Sequence, residues 1–388
     1  MTVNRYSSQF IDKNDLKKVK EVLNSDYLTQ GPYNEKFEKQ LSKATNSKYS
    51  LTFNSATSAL HTACISLGLK PEDRVWVTVN SFVASSNCAL YCGAKIDFVD
   101  IDLKTFNISV DSLKIKLKIA EKKKKLPKIL IIVHIGGNPC DLYEIKLLSK
   151  KYNFKIIEDA SHALGATYKK SKIGNCKYSD ISVFSFHPVK MITTGEGGSL
   201  HTNDLKSYNI AKIFKSHGID KNVKSNITKR IEKWYFEQKI LGFNYRMSEI
   251  NAALGVSQLE KLNKFKKKRN DIANYYIKNL KNNPFINTQF VNKNSTSSYH
   301  LFIILINKNS NKKNYEIMNF LDKKKIGTQL HYLPIHLHPF YKKIGYKKND
   351  YPNAELYSKK ALSLPLHYKM NNEDVRYVIK NINKYFGI

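Results

Sequence analysis

The chain of 388 residues is long enough to bury a substantial core and to divide into two domains. With 41% hydrophobic and 12% aromatic residues it has the composition of a folded protein, which excludes a disordered one. Its formal net charge of +33 would fit a polyanion binder, but the lysines are spread over almost every segment instead of gathering into a patch. This reads as a general composition bias and argues against nucleic acid as the partner, although a positive field still favours an acidic substrate.

In chain order, an amphipathic helix is predicted over residues 12–25, with Leu16, Val19, Val22 and Leu23 on one face. A polar turn from Ser25 to Pro32 follows, then a helix through Phe37 and Leu41 and a short strand over 49–53. Asn54-Ser55-Ala56-Thr57-Ser58 opens the next helix, and its hydroxyls suit either a cap or an anion held at the helix start. Strands are then predicted at 74–79, 96–99, 129–134, 155–158, 181–186 and 199–202, with helices at 82–92 and 141–152 among them. Continuous apolar strands alternating with helices define an α/β layer fold around a mostly parallel sheet. The run 114–128 reads as a charged helix face and connector, and 219–240 as charged and irregular. A helix over 248–264 starts at a Ser248 cap, followed by helices near 265–280, 314–324 and 372–385 and strands at 299–306 and 326–331. This later part reads as a smaller α+β domain, giving a division into 1–255 and 256–388.

The five cysteines form no CxxC pair, and Cys88 and Cys92 suit small core positions in a helix, so a reduced cytoplasm is the simplest setting. The start of the chain, MTVNRYSSQF, has no apolar signal core, and the longest apolar run, Ile129–Val133, is strand-sized, so no membrane span is expected.

Ligands in open α/β sheets sit beyond the carboxyl ends of the strands. That rule puts 54–58, Ser81-Phe82, 159–162 and 187–190 on one rim. Lys190 follows a buried strand and precedes the glycine-rich turn Thr193–Gly198. Partial burial disfavours its charged form and makes it a candidate to condense with a carbonyl. Asp159 ends the apolar strand KIIED and needs a cationic partner, which a protonated pyridine supplies. Thr57, Ser58 and Ser185 are candidates for a phosphate, and Phe82 for stacking on a ring. Each has a plainer reading as cap, turn or core residue; together they are the parts of a pyridoxal 5'-phosphate site.

The sequence resembles the sugar-nucleotide aminotransferases of the DegT/DnrJ/EryC1/StrS family. The matching stretches are Thr29-Gln30-Gly31-Pro32, FNSATSALH (53–61), EDASHALGA (158–166), FSFHPVKMITTGEGG (184–198), GFNYRMSEINAALGVSQL (242–259) and HYLPIHLHPFY (331–341). Within the family, WYFEQ (234–238), HIGGNPCD (134–141) and LPIHLHPFYKKIGY (333–346) resemble the branch that makes the 4-amino sugar precursor of pseudaminic acid.

The resemblance implies an aspartate-aminotransferase-like fold (fold type I) and pyridoxal 5'-phosphate as cofactor. It makes Lys190 the Schiff-base lysine and proton carrier, Asp159 the partner of the pyridinium nitrogen, and His162 a neighbour of the ring. Ala56, Thr57 and Ser185 would hold the phosphate, Phe82 would cover the ring, and Asn244 would reach the phosphate from the second subunit of a homodimer. Tyr6, Asp26, Tyr27, Leu28 and Thr29, with His331, Tyr332, Leu333 and Pro334, match regions lining the sugar-nucleotide pocket. Arg246 and His336 are further candidates for donor or substrate contacts, each with a structural role as the alternative. The segment Arg5-Tyr6-Ser7-Ser8 departs from the family's glycine-containing pattern there. One family variant carries histidine in place of the lysine and dehydrates its substrate; this chain keeps Lys190, which favours transamination. The implied reaction moves an amine from glutamate to a UDP-linked 4-keto-6-deoxy sugar. The alternatives are a sibling enzyme for a GDP- or dTDP-linked keto sugar, or a non-catalytic nucleotide or nucleic-acid binder.

Overall fold

The computed structural model of the protein describes residues 5–220, 227, 228, 230, 232–308 and 310–388. Its main sheet contains β1 (Tyr49–Phe53), β2 (Arg74–Thr78), β3 (Lys95–Val99), β4 (Ile129–Val133) and β5 (Lys155–Asp159). After a small hairpin of β6 (Thr167–Tyr168) and β7 (Ser171–Lys172), β8 (Ile181–Ser185) and β9 (Gly198–Thr202) complete it. The strand order is β1-β9-β8-β5-β4-β2-β3, seven in all. Neighbours from β3 to β8 pair in parallel, whereas β9 runs antiparallel to both β8 and β1.

Period-two alternation divides each central strand between two cores. Ile129, Ile131 and Val133 of β4 face one core with Val75 and Val77 of β2; Leu130 and Ile132 face the other with Trp76. Helices cover both faces, which is why β4 carries five apolar residues in a row without a polar face. The helix Val110–Lys122 buries Leu113 and Leu117 and leaves its lysines outside, as its charge pattern predicts. All five cysteines are buried and free. No helix among the described residues is long and apolar enough to cross a membrane.

The short strands β10 (Ile219–Asp220) and β11 (Glu237–Gln238) pair beyond the helix Leu205–Phe214. Much of the stretch expected to be irregular, 221–226 with 229 and 231, lies outside the described residues. The later chain builds a second sheet from β12 (Ile286–Thr288), β14 (Phe302–Ile306) and β15 (Ala361–Leu364), in the order β12-β14-β15, while β13 (Ser295–Thr296) pairs with β6. This second sheet has its own core, where Phe302, Ile304 and Leu362 meet Tyr276, Val378 and Ile382 of the helices Leu262–Leu280 and Asn372–Phe386. The strand expected at 326–331 is replaced by an isolated bridge between Gln329 and Ser363, because β15 takes the place beside β14. The helix expected to end at 264 stops at Glu260, and a new helix starts at Leu262.

One carboxylate joins two of the family-like stretches. The helix Pro32–Thr45 begins at Gly31, which has no side chain to cap it. Instead Glu249, fully buried, accepts hydrogen bonds from Tyr33 N at 2.6 Å and Asn34 N at 3.1 Å. A Cβ on Gly31 would stand 2.9 Å from Glu249 Oε2 and 2.6 Å from Tyr27 Cβ, so the glycine makes room for the cap. A negative charge at a helix start is favourable, and removing it strands two buried donors. Glu249→Ala is expected to lower the unfolding free energy by about 3 kcal/mol, read as a fall in the urea midpoint. A shift below about 1 kcal/mol would mean that water satisfies those donors equally well.

Candidate active site

The carboxyl ends of β1, β5 and β8 lie on one edge of the sheet, and β9 starts there: Gly198 pairs with Phe53 on one side and Ser185 on the other. A cavity of about 570 Å³ opens at this rim, within the range of small-molecule sites.

Lys190 lies in the loop between β8 and β9. That loop is closed by Phe186 N donating to Gly197 O at 2.9 Å and Thr194 N to Phe186 O at 2.9 Å. Thr193 Oγ1 adds a bond to Phe186 O at 3.1 Å. The N-terminal segment braces the same loop, with Ser7 Oγ donating to Val189 O at 3.1 Å. The loop therefore holds Lys190 in the cavity wall, half-buried. Burial pushes its ammonium down to about 8, partly opposed by the nearby Asp159 carboxylate.

Asp159 is the last residue of β5 and is buried. Its Oδ2 accepts from Ser85 Oγ at 2.6 Å and its Oδ1 from Ser161 N at 3.1 Å. His162 follows on the same turn. Its Nδ1 accepts from Gly136 N at 3.3 Å, which leaves the proton on Nε2 to donate to Tyr332 Oη at 3.1 Å. Burial and the positive charge of Lys190 hold His162 well below the usual histidine range, and hold His331 down to about 3. His162 and His331 are thus neutral imidazoles in the same cavity as the Lys190 amine.

The helix Ala56–Ser66 points its N-terminus at the cavity. Ser55 caps it by accepting from Ser58 N at 3.1 Å, and Ser58 Oγ accepts in return from Ser55 N at 3.2 Å. Ala56 and Thr57 N–H remain outside the helical ladder. Ser58 also donates to Asn54 Oδ1 at 2.6 Å and stands behind the wall, whereas Ser55, Ala56, Thr57 and Ser185 line it. A Cβ on Gly198 would lie 2.5 Å from Ala56 N, so glycine is what lets β9 start this close to the helix.

Phe82 lines the opening, its ring 57% exposed and 6.0 Å from the ring of Tyr332. Tyr6 packs edge-on against His331 at 5.0 Å. Of the 331–334 stretch, His331 and Tyr332 face the cavity, while Leu333 and Pro334 do not line it. Asp26, Tyr27, Leu28, Thr29 and Asn244 are exposed on the surface and do not border this cavity within one chain. His336 is buried against Glu355, Nε2 to Oε1 3.0 Å, which gives it a structural role. His300, packed 4.4 Å from the His162 ring, and Gln329 line the cavity but were not among the site residues expected from the sequence. Ser85 was also missed, because a serine in an apolar helix looks like filler.

The chain belongs to the DegT/DnrJ/EryC1/StrS aminotransferase family, which it matches over residues 9–383. It is 38% identical over 374 residues to the UDP-4-amino-4,6-dideoxy-N-acetyl-beta-L-altrosamine transaminase of Campylobacter jejuni, spanning 96% of this chain and 95% of that one. Among solved structures it is similar to Helicobacter pylori PseC, an aminotransferase involved in the biosynthesis of pseudoaminic acid. That likeness has a TM-score of 0.89 at 33% identity and covers 98% of each chain. It also resembles the putative sugar aminotransferase Spr1654 of Streptococcus pneumoniae in its PLP form, with TM-score 0.87, 27% identity, and 98% and 97% of the two chains covered. The same protein in its PMP form gives 0.88 at 28% identity, with 98% of each chain covered.

This protein is therefore a pyridoxal-phosphate-dependent sugar aminotransferase of fold type I. A nucleotide sugar and an amino donor are its substrates. The cavity fits the cofactor chemically: an amine held near neutrality, a buried carboxylate, and a helix N-terminus with two adjoining hydroxyls sit around one space.

Proposed function

We propose that the chain transfers the amino group of glutamate to C4 of a UDP-linked 4-keto-6-deoxy-N-acetylhexosamine. The product is UDP-4-amino-4,6-dideoxy-N-acetyl-beta-L-altrosamine, a precursor of pseudaminic acid. The observation that carries the chemistry is Lys190, a half-buried amine brought down to about 8 beside a buried carboxylate. The likeness to the Campylobacter jejuni and Helicobacter pylori proteins supports the choice of sugar.

Bound in the cavity, pyridoxal phosphate supplies a carbonyl for amines to condense with and an electron sink for the carbon that loses its proton. The chain supplies the rest. Lys190 takes and returns the proton at the reacting carbon, with a proton affinity close to the working pH. Asp159 keeps the pyridine nitrogen protonated, and His162, neutral and hydrogen-bonded to Tyr332, flanks the ring. Ala56 N–H, Thr57 and Ser185 hold the phosphate, Ser58 keeps that helix start in shape, and Phe82 covers the ring. Tyr6, His331 and Tyr332 take the sugar from the open side.

In this reading Asn244 arrives from a second copy and completes the phosphate site, and Asp26–Thr29 close the nucleotide end; Leu333 and Pro334 stay with their own chain, behind the His331 and Tyr332 that line its cavity. The exposed apolar side chains Tyr27, Leu28 and Phe243 near these residues give the homodimer a surface to bury. A mixing experiment tests this. Lys190→Ala and Asn244→Ala proteins, each impaired alone, are expected to regain activity when unfolded and refolded together, because one site of the hybrid then keeps both native residues. No recovery places Asn244 outside the partner's site.

Transfer of labelled amino nitrogen from glutamate to a panel of UDP-, dTDP- and GDP-linked 4-keto sugars tests the substrate. The expected product carries nitrogen at C4 of the UDP sugar. Faster transfer to a GDP- or dTDP-linked member would overturn the substrate while leaving the class intact.

A further inference from the structure

Asp159 is the end of a three-residue hydroxyl relay. Ser85, fully buried near the start of the helix Ala84–Leu90, donates to Asp159 Oδ2 at 2.6 Å. The Ser85 oxygen is also 2.6 Å from Ser81 Oγ, and Ser81 Oγ is 3.1 Å from the Phe82 carbonyl. Each hydroxyl has a single proton to give. An ionised Asp159 can only accept, so Ser85 must point at it, and Ser85 in turn accepts from Ser81. With Asp159 protonated, the whole line can reverse: the carboxyl donates to Ser85, Ser85 to Ser81, and Ser81 to the Phe82 carbonyl. Every group keeps a partner in either direction, so the relay accommodates both states of the aspartate without stranding a buried atom.

We infer that Ser85, ordered by Ser81, is a positioning residue that holds the Asp159 carboxylate aimed at the cofactor's ring nitrogen. The inference rests on the proposed pairing of Asp159 with that nitrogen. Ser85 itself touches neither cofactor nor substrate; it acts through the carboxylate. The sequence shows it as one of two adjacent serines, Ser85 and Ser86. Ser86 is engaged elsewhere, 2.5 Å from Tyr341 Oη.

The test titrates pyridoxal 5'-phosphate into apoprotein and compares dissociation constants, independently of turnover. Ser85→Ala is expected to weaken binding about tenfold, the cost of one hydrogen bond to a charged group. Ser85→Thr, which keeps the hydroxyl, is expected to recover most of that loss. Ser81→Ala leaves Ser85 in place but unordered and is expected to give a smaller loss, about threefold; it also serves should Ser85→Ala fold poorly. In an Asp159→Asn background, Ser85→Ala is expected to change binding less than about twofold, since the charge it serves is gone. Equal losses in both backgrounds would mean that Ser85 only packs the helix, and binding by Ser85→Ala and Ser81→Ala unchanged from the parent protein would end the proposal. If Asp159→Asn alone binds the cofactor as the parent does, the pairing of Asp159 is wrong and the role of Ser85 goes with it.

Discussion

Replacing Lys190 with alanine is expected to reduce amino transfer by about 10⁴-fold and to remove the visible absorbance band of the lysine-bonded cofactor. Two functions leave together: the amine that bonds the cofactor and the group that carries the proton. The amine's environment sharpens the prediction. Burial penalises the ammonium and lowers its proton affinity from 10.5 to about 8, although Asp159 acts in the opposite direction. At pH 7 about one such amine in ten is neutral, against about one in 3,000 for an ordinary lysine. Condensation with a carbonyl needs the neutral form, so the apoprotein is expected to react with pyridoxal phosphate increasingly fast as pH rises through about 8. A midpoint near 10.5 would show an exposed, ordinary lysine and remove the main support for the site.

Asp159→Asn is expected to be the next most damaging change, lowering amino transfer by about 10²- to 10³-fold. The substitution keeps the shape but not the acceptor pattern. Both Asp159 oxygens receive a hydrogen bond, one from Ser85 Oγ and one from Ser161 N. An asparagine keeps both contacts only by reversing the relay: its Oδ1 accepts from Ser161 N while its NH₂ donates to Ser85 Oγ, and Ser85 then donates to Ser81. It cannot hold a ring nitrogen protonated. Removing the carboxylate takes away the one interaction that raises the Lys190 proton affinity, so the condensation midpoint is expected to move below about 8. Activity within tenfold of the parent, with an unmoved midpoint, would show that Asp159 serves the fold and not the cofactor.

Much of this was legible from the residues. The buried parallel sheet could be read from strands such as Ile129–Val133, because an unbroken apolar run of strand length has only one economical home, between two layers of helices. The rim followed from that, since the strand-end rule places 54–58, Asp159 and Lys190 together whatever the loops do. The second sheet was harder. β15 is four residues, ALSL, directly after a helix that ends at Lys360, and so short a stretch has no period to detect. Its presence beside β14 displaced the strand expected at 326–331. The helix Leu205–Phe214 has a plain Asp204 cap, yet it had no counterpart among the predicted elements.

Within the site, sequence cannot tell which hydroxyls of a Ser-Ala-Thr-Ser run face the ligand. The capping geometry turns Ser58 inward and leaves Ser55 and Thr57 on the wall. The Ser81–Ser85–Asp159 relay joins residues more than seventy positions apart, and no local pattern marks it.

The buried Glu249 also sets an order of events during synthesis. The helix Pro32–Thr45 lacks its cap until about 200 more residues have been made, and β1 lacks its partner β9 for about 150. At typical translation speeds the wait for the cap is roughly 10–40 s. Throughout it the helices Lys13–Leu23 and Pro32–Thr45 lack the helix Glu249–Glu260 that both pack against, so Val22, Phe37 and Leu41, fully buried in the finished protein, are incompletely covered. The helices Lys13–Leu23 and Pro32–Thr45 are therefore among the last elements to settle, and these lysine-rich segments have to stay dispersed by their charge until residues 249–260 arrive.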